Sequence, residues 1–314
     1  MEKYDAKNKM GIGVYNLDPR WMSFEDFDWY VDQGYINTFI LNMDGFGTTV
    51  GAAEKLQESG GQAWLGCPVY VSKREPLSNY MGRLVNYTNK LKERGVWDRF
   101  IGFNFDEPLI QRDCTNDDLL AVTKAMHEEF GMRIYPVFST QEVLGQKGNW
   151  NDPDGTLILE SYATEYLTDI GFDSYGYDFR PPTEAMAKKL ATVAEKYPQV
   201  TDTASYYRFI FETLKGIVVN KEAKVWVTPS MYYSYTWAGC YSDEDYNTAH
   251  LKGLFDILME QEHPGGIMGY TFKSWGRKER GLDFYLNPRN PERWTKFEAA
   301  MREIHDKIKD IEIK

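Results

Sequence analysis

Short apolar runs alternate with longer amphipathic segments along the chain. Eight of these runs are rich in apolar, β-branched and aromatic residues and have glycine or polar ends, which is typical of strands. The predicted strands cover residues 11–17, 36–43, 63–71, 100–106, 133–138, 170–177, 224–230 and 266–272. Because helical patterns lie between them, the alternation indicates βα units and a parallel sheet.

Apolar positions at helical spacing, together with capping residues, predict the helices. Ser23 and Asp26 have the spacing of a capping box, and the acids that open the pattern at 115–130 suit a helix N-terminus, with Gly131 as its end. The other predicted helices cover residues 79–94, 157–167, 182–196, 204–217, 243–262 and 291–311.

Eight βα units in one chain of 314 residues favour closure of the sheet into a single (β/α)8 TIM barrel. No GxGxxG pattern follows the first predicted strand, where a dinucleotide-binding fold would carry it. The segment between strands six and seven is the longest connection and holds two helical patterns. No linker interrupts the rhythm, so we expect residues 1–314 to form one catalytic domain.

Charge and cysteine content narrow the possible partners. A net charge of −11 argues against nucleic acid or an anionic membrane surface. Three cysteines without CxxC spacing indicate neither a disulfide framework nor a zinc site, and we expect no metal and no cofactor. The polar N-terminus and the lack of a long apolar run predict a cytoplasmic protein, or a secreted one whose signal peptide has been removed. The oligomeric state stays open.

Barrel enzymes hold their reacting groups where strands end and βα loops begin. At these positions the sequence has carboxylates, amides and aromatic residues but no histidine or cysteine. The candidate site residues are Asn42, Asp44, Tyr70, Asp106, Glu107, Asp173, Tyr175, Tyr177, Asp178, Tyr232, Tyr270 and Trp275. The four histidines fall in or near predicted helices, where we expect them to be solvated. Carboxylate chemistry on a neutral polar ligand remains, and it suits a saccharide, whose ring faces stack on aromatic side chains.

The most specific local pattern is Asp106-Glu107-Pro108 at the end of the fourth predicted strand. Pro108 cannot donate to a sheet and helps to end the strand. Two adjacent carboxylates repel each other, so one of them should stay protonated near neutral pH. A protonated Glu107 could then donate its proton to a glycosidic oxygen. The alternative is that Asp106 caps the following turn and Glu107 is solvated.

The tetrapeptide Phe105-Asp106-Glu107-Pro108 resembles the end of strand four in barrel glycoside hydrolases. The large retaining clan of that fold has Asn-Glu-Pro there, with the glutamate as acid/base and a second glutamate after strand seven as nucleophile. This chain departs from that pattern, because Asp106 replaces the asparagine and residues 225–233 contain no carboxylate.

The Asp-Glu pair is more similar to the substrate-assisted hexosaminidases of glycoside hydrolase families 20 and 123. The resemblance implies that Glu107 is the acid/base and that Asp106 orients the acetamido N–H of a substrate whose acetamido oxygen attacks the anomeric carbon. It also implies that a tyrosine holds that oxygen, for which Tyr175, Tyr177 and Tyr232 are candidates. Trp275 would form the floor of the sugar subsite.

Two other hypotheses stay open. Glu107 could pair with a second carboxylate from Asp44, Glu142, Asp173 or Asp178, in which case substrates without an acetamido group would also be cleaved. The spacing of the two carboxyl groups would then set the stereochemistry, at about 5–5.5 Å for retention and ~6.5–9.5 Å for inversion. The barrel could also bind saccharides without catalysis, since a fold does not fix a function.

Overall fold

The eight predicted strands close into a parallel barrel. A computed structural model describes residues 5–110, 114–145, 158–234, 243–271, 274 and 279–313. The barrel strands are β1 (Gly11–Val14), β2 (Thr38–Asn42), β3 (Gln62–Gly66), β4 (Phe100–Asp106), β5 (Arg133–Ser139), β6 (Asp169–Asp173), β7 (Lys224–Thr228) and β8 (Pro264–Gly269). Each strand pairs with its neighbours in chain order, and β8 pairs in parallel with β1. The predicted (β/α)8 barrel is therefore confirmed.

Helices cover the outside of the barrel. They are α1 (Phe24–Asp32), α2 (Phe46–Ser59), α3 (Leu77–Glu93), α4 (Asn116–Phe130), α5 (Thr140–Leu144), α6 (Glu184–Lys196), α7 (Thr203–Ile217), α8 (Glu244–Met259), α9 (Leu282–Tyr285) and α10 (Thr295–Ile308). Both predicted helices of the long connection, α6 and α7, are present. In the part of the chain that the structure describes, no helix is long and apolar enough to cross a membrane.

Two predicted helix starts are confirmed in atomic detail. Ser23 accepts a hydrogen bond from the backbone N–H of Asp26 at 3.1 Å. Thr115 and Asp118 form a reciprocal capping box at the start of α4, and α4 ends at Gly131, whose φ of 59° lies in the left-handed region. These short-range patterns were readable because both partners lie within one turn of the chain.

The helix predictions differ most from the structure in two places, and they also omit the short helices α5 and α9. The prediction omitted α2, whose sequence holds Gly47 and Gly51 and whose start, Gly45, offers no side-chain cap. Burial of Val50, Ala53 and Leu56 against the barrel stabilises this helix in spite of its glycines. The helix predicted at 157–167 is wrong, because the described part of that segment forms only a 3₁₀ turn over Ser161–Thr164.

Six of the eight strands end earlier than predicted, and the difference is largest for β3 and β6. β3 ends at Gly66 instead of residue 71, and β6 ends at Asp173 instead of residue 177. The residues beyond them stay apolar because the βα loops are packed, with Tyr70, Val71 and Tyr177 all buried. Apolar content therefore marked the buried segment and not the end of the hydrogen-bonded strand.

Three aromatic rings fill the inside of the barrel. Trp64, Tyr135 and Trp226 are fully buried, and their ring centroids lie 5.1–5.6 Å apart. They belong to a compact inner cluster that is separate from the larger core between the barrel and its helices. The inner cluster forms a solid floor beneath the carboxyl ends of the strands.

The inner rings leave no room for side chains on the strand positions that face them. A Cβ built on Gly102 would lie 2.3 Å from the carbonyl oxygen of Arg133 and 2.7 Å from the Trp64 ring. We therefore expect Gly102→Ala to lower the free energy of unfolding by about 3 kcal/mol, as overpacking of a filled core does. Urea unfolding followed by far-UV circular dichroism measures this loss.

Gly82 in α3 is the matched control, because nothing lies within 4 Å of a Cβ built there. Gly82→Ala should raise the free energy of unfolding by about 0.5–1 kcal/mol through helix propensity alone. Equal stability of the two variants would contradict the packing explanation.

A buried ion pair lies at the opposite end of the barrel from the predicted site. Asp169, which is fully buried at the start of β6, accepts hydrogen bonds from the Nε of Arg133 at 2.9 Å and from the indole of Trp226 at 2.8 Å. The guanidinium of Arg133 also lies 5.0 Å from the centre of the Trp64 ring. This cluster closes the barrel at the amino-terminal ends of its strands, away from the predicted site.

Candidate active site

The end of β4 brings Asp106 and Glu107 to the mouth of the barrel. Phe103 and Phe105 belong to the outer core, so alternation along the strand turns Asp106 toward the barrel axis. Asp106 is exposed and Glu107 half-buried. The backbone of Glu107 has a φ of 40°, and its N–H donates to the carbonyl of Val137 in β5 at 2.8 Å. The chain thus leaves the sheet directly at the proposed acid.

Asp173 joins these two acids from the end of β6. Burial raises the pKa of Asp173 well above its usual range, and the charges of Glu107 and Asp106 raise it further. A hydrogen bond from Tyr175 acts in the opposite direction. Because the interaction between charges weakens with distance, we infer that the three carboxyl groups lie near one another at the mouth and cannot all ionise easily.

Tyrosine rings form one side of this mouth. Tyr175 stacks on Tyr270 with ring centroids 5.5 Å apart, and Tyr232 meets both rings edge-on at 5.9 and 5.6 Å. Tyr15, from the end of β1, lies 6.4 Å from Tyr270. The strand ends of β1, β6, β7 and β8 are therefore joined by one aromatic cluster.

Two predicted acids lie with arginines instead of with Glu107. Asp44 has an exposed side chain 3.4 Å from Arg20, and Asp178 is buried against Arg180 at 2.7 Å. Arg180 lies in the same βα loop as Asp178, whereas Arg20 comes from the loop after β1, where it also pairs with Asp18 at 2.9 Å. Both acids therefore have ionic partners, and the structure does not bring them into the carboxylate cluster.

Two predicted tyrosines pack against helices. Tyr70 is buried with its ring 5.5 Å from that of Tyr80 in α3. Tyr177 stacks on Tyr206 of α7 at 3.8 Å, with the ammonium of Lys189 4.0 Å from its ring. Among the residues that the structure describes, both rings pack against helices and lie apart from the tyrosine cluster, and their predicted contact with a sugar stays a prediction.

The remaining predicted residues have separate positions. Asn42 ends β2 with its amide turned toward Gly66 of β3, where a Cβ would lie 2.3 Å from the amide oxygen. Asn42 thus sits at the level where the barrel opens. Trp275 lies outside the described residues.

Glu142, proposed as a possible second carboxylate, is fully buried. Its two oxygens accept three backbone N–H groups, from Ser139, Leu109 and Ile110, at 2.5–2.9 Å. Burial raises the pKa of Glu142 to about 8, the charge of Glu107 raises it too, and these hydrogen bonds lower it. A carboxyl group so enclosed cannot contact a ligand, so Glu142 does not fit the role of nucleophile or base.

The sequence interpretation missed a buried histidine behind the site. His250 of α8 accepts the backbone N–H of Ser230 on Nδ1 at 3.0 Å, and its Nε2 lies 2.7 Å from the hydroxyl of Tyr207. Tyr207 donates to the carbonyl of Ser174 at 2.6 Å, so Nε2 must carry the proton and donate to Tyr207. The prediction that all four histidines are solvated is therefore wrong for His250, and also for the buried His305.

The buried position of His250 predicts how stability depends on pH. Burial lowers its pKa to about 3, whereas an unfolded histidine titrates near 6.5. As the pH falls, the unfolded chain therefore binds a proton at this histidine before the folded protein does. The contribution of neutral His250 to the free energy of unfolding is complete above about pH 6.5 and is lost as the pH falls toward 3. The free energy of unfolding should fall by on the order of 1 kcal/mol per pH unit in this window, as measured by urea titration.

His250→Phe cannot titrate and should show a smaller fall over the same pH range, although it is less stable at pH 7. His127, which is exposed on α4, is the control, and His127→Gln should keep the pH dependence of the unaltered protein. An unchanged pH dependence in His250→Phe would contradict this assignment.

Comparison with known proteins supports the fold. No protein-family model matches the chain, and no curated protein matches it. A solved structure of β-glucuronidase from Ruminococcus gnavus is similar, with a TM-score of 0.57 and 13% identity over 97% of this chain and 50% of that one. Its complexes with D-glucuronic acid and with uronic isofagomine give TM-scores of 0.54 and 0.53, at 13% and 14% identity. They cover 97% and 96% of this chain and 49% and 50% of theirs.

The chain therefore spans about half the length of the β-glucuronidase chains that it resembles. At this level of identity the similarity shows the (β/α)8 fold alone, and the site must be interpreted from its own residues.

Proposed function

We propose that this chain is a glycoside hydrolase in which Glu107 is the general acid/base and Asp106 assists it. The observation that carries the proposal is the cluster of Asp106, Glu107 and Asp173 at a barrel mouth lined by tyrosine rings. Barrel enzymes hold their reacting groups at this end. The similarity of the fold to a glycosidase is consistent with that chemistry.

The carboxylate cluster supports acid catalysis by electrostatics. Three neighbouring acids repel one another as anions, so at least one keeps its proton near neutral pH. A protonated Glu107 would donate to the glycosidic oxygen as the bond to the anomeric carbon breaks, and as a carboxylate it would then accept a proton from water. Tyr175, Tyr232 and Tyr270 offer ring faces and hydroxyl groups to the sugar.

We favour substrate-assisted cleavage of an N-acetylhexosaminide. Residues 224–234, which end at the β7 mouth, contain no aspartate or glutamate, so the strand-seven nucleophile of the retaining clan is missing. The acetamido oxygen of the substrate would attack the anomeric carbon instead. Asp106, next to the acid, would accept the acetamido N–H and stabilise the positive charge that develops on it.

A second candidate mechanism pairs Glu107 with Asp173. Of the four acids weighed as a second carboxylate, Asp173 is the one that shares the mouth with Glu107, and this observation favours it. In this mechanism Asp173 would act as nucleophile or base, and the acetamido group would be dispensable.

Paired aryl glycosides test the proposal. Matched 4-nitrophenyl sugars with a 2-acetamido or a 2-hydroxyl group, and a glucuronide, are compared by kcat/KM. Cleavage that requires the acetamido group, with inhibition by a thiazoline, supports substrate assistance, whereas cleavage of both neutral sugars supports Asp173. The glucuronide should be the poorest substrate, because the acidic mouth repels its carboxylate. Hydrolysis of none of these sugars would overturn the proposed glycosidase.

A further inference from the structure

The segment that follows Glu107 is held by a single buried side chain. Oε1 of Glu142 accepts the N–H groups of Leu109 and Ile110 at 2.5 and 2.9 Å. Its Oε2 accepts the N–H of Ser139, at the end of β5, at 2.5 Å. One carboxyl group therefore ties the loop after β4 to the neighbouring strand end.

The same side chain also fixes its own position. Glu142 is the third residue of α5, and the hydroxyl of Ser139 accepts its backbone N–H at 3.3 Å. The carbonyl of Glu142 accepts the N–H of Leu159 at 2.7 Å. Because both its backbone and its carboxyl group are hydrogen-bonded, Glu142 is a fixed anchor for the loop after β4.

The backbone conformation of Glu107 has to be held from both sides. Its φ of 40° lies in the left-handed region, which is unfavourable for a residue with a side chain, so the surrounding structure must hold it. On one side its N–H is bonded to Val137. On the other side Pro108 leads directly to the two N–H groups that Glu142 holds.

We propose that Glu142 is a positioning residue that fixes the direction of the Glu107 side chain through the backbone of Leu109 and Ile110. The inference rests on the proposed function, because it assigns Glu142 a role in the reaction that Glu107 performs. Glu142 itself does not touch the substrate.

Glu142→Gln tests the inference. The amide keeps the shape of the side chain, but its NH₂ group replaces one acceptor and faces a backbone N–H. We expect kcat for the best aryl glycoside to fall by about tenfold to hundredfold, since a misplacement of about 1 Å costs on that order. KM should change by less than about threefold, because the tyrosines that contact the sugar stay in place.

Asp118→Asn is the matched control. Asp118 is also a buried third residue of a helix, and it accepts the N–H groups of Ser72 and Thr115, both at 3.2 Å. It anchors the loop after β3 rather than the segment at Glu107. We expect both Glu142→Gln and Asp118→Asn to lower the Tm, but Asp118→Asn should leave kcat unchanged. Equal kcat values in Glu142→Gln and Asp118→Asn would overturn the inference.

Hydrogen exchange gives a readout that does not need activity. The amides of Glu107, Leu109 and Ile110 should exchange faster in Glu142→Gln than in the unaltered protein or in Asp118→Asn, and unchanged exchange would also overturn the inference. If the unaltered protein hydrolysed no glycoside, the proposed function would fail while exchange still tested the anchoring. Glu142→Asp, which shortens the side chain but keeps its carboxyl group, serves if the glutamine variant does not fold and should show the same changes.

Discussion

Glu107→Gln is expected to lower kcat/KM on substrates with poor leaving groups by roughly two to four powers of ten, the usual contribution of a general acid. Glutamine keeps the size of the side chain but cannot donate an acidic proton to the glycosidic oxygen. The Tm should stay within a few degrees of that of the unaltered protein, because Glu107 lies half-buried at the mouth and outside the core. Steady-state kinetics on alkyl and 4-nitrophenyl glycosides measure the loss.

The leaving group provides an internal control for this prediction. A 2,4-dinitrophenyl group departs without protonation, so the first bond cleavage should lose much less rate in Glu107→Gln when that substrate is used. Glu128→Gln, an exposed change on α4, should leave all rates unchanged. A uniform loss across all leaving groups would contradict proton donation by Glu107.

Asp169→Asn is expected to lower the free energy of unfolding by about 3 kcal/mol, because it leaves Arg133 without its buried partner. Asp169 also accepts hydrogen bonds from Trp226 and from the Thr168 hydroxyl, at 2.8 Å each. Urea unfolding measures the change. Combining Asp169→Leu with Arg133→Met should cost less than either change alone, and additive losses would contradict a mutually dependent pair.

Asp173→Asn, at the other end of the same strand, is the matched control for Asp169. Burial and the charges of Glu107 and Asp106 raise the pKa of Asp173, so the folded protein loses stability relative to the unfolded chain as the pH rises above the ordinary pKa of an aspartate. Removing the charge should keep or raise stability at pH 8 while changing turnover. In that case Asp169, at the start of β6, would stabilise the fold, and Asp173, at its end, would act in the reaction.

The sequence was sufficient to predict the barrel, because its strands are fully buried and therefore read as continuous apolar runs. It was less informative about α2, where helix-breaking glycines hide a helix that packing stabilises. The strand ends at Gly66 and Asp173 were also missed, because buried loops continue the apolar pattern beyond the hydrogen-bonded strand.

For the candidate site, sequence order identified the strand-end acids but not their partners. Asp44 and Asp178 face arginines, whereas Asp173 faces other acids, and pairing of that kind depends on the loops. The sequence shows Glu142 only as an acid near a strand end, whereas in the structure its buried carboxyl group binds backbone N–H groups. Tyr15 could have been identified from alternation along β1, since every second residue from Gly11 faces the axis. His250 lies four residues from both Tyr246 and Leu254, so the apolar spacing of α8 could have placed it on the buried face of the helix.

The aromatic floor formed by Trp64, Tyr135 and Trp226 closes the interior of the barrel beneath the strand ends that the structure describes. Water that a ligand displaces has to leave past that ligand, and a product has to depart before another sugar can occupy the same depth. A polysaccharide can insert one end or lie across the rim, but it cannot thread along the axis. In the proposed glycosidase, the product would therefore leave through the same mouth that admits the next substrate.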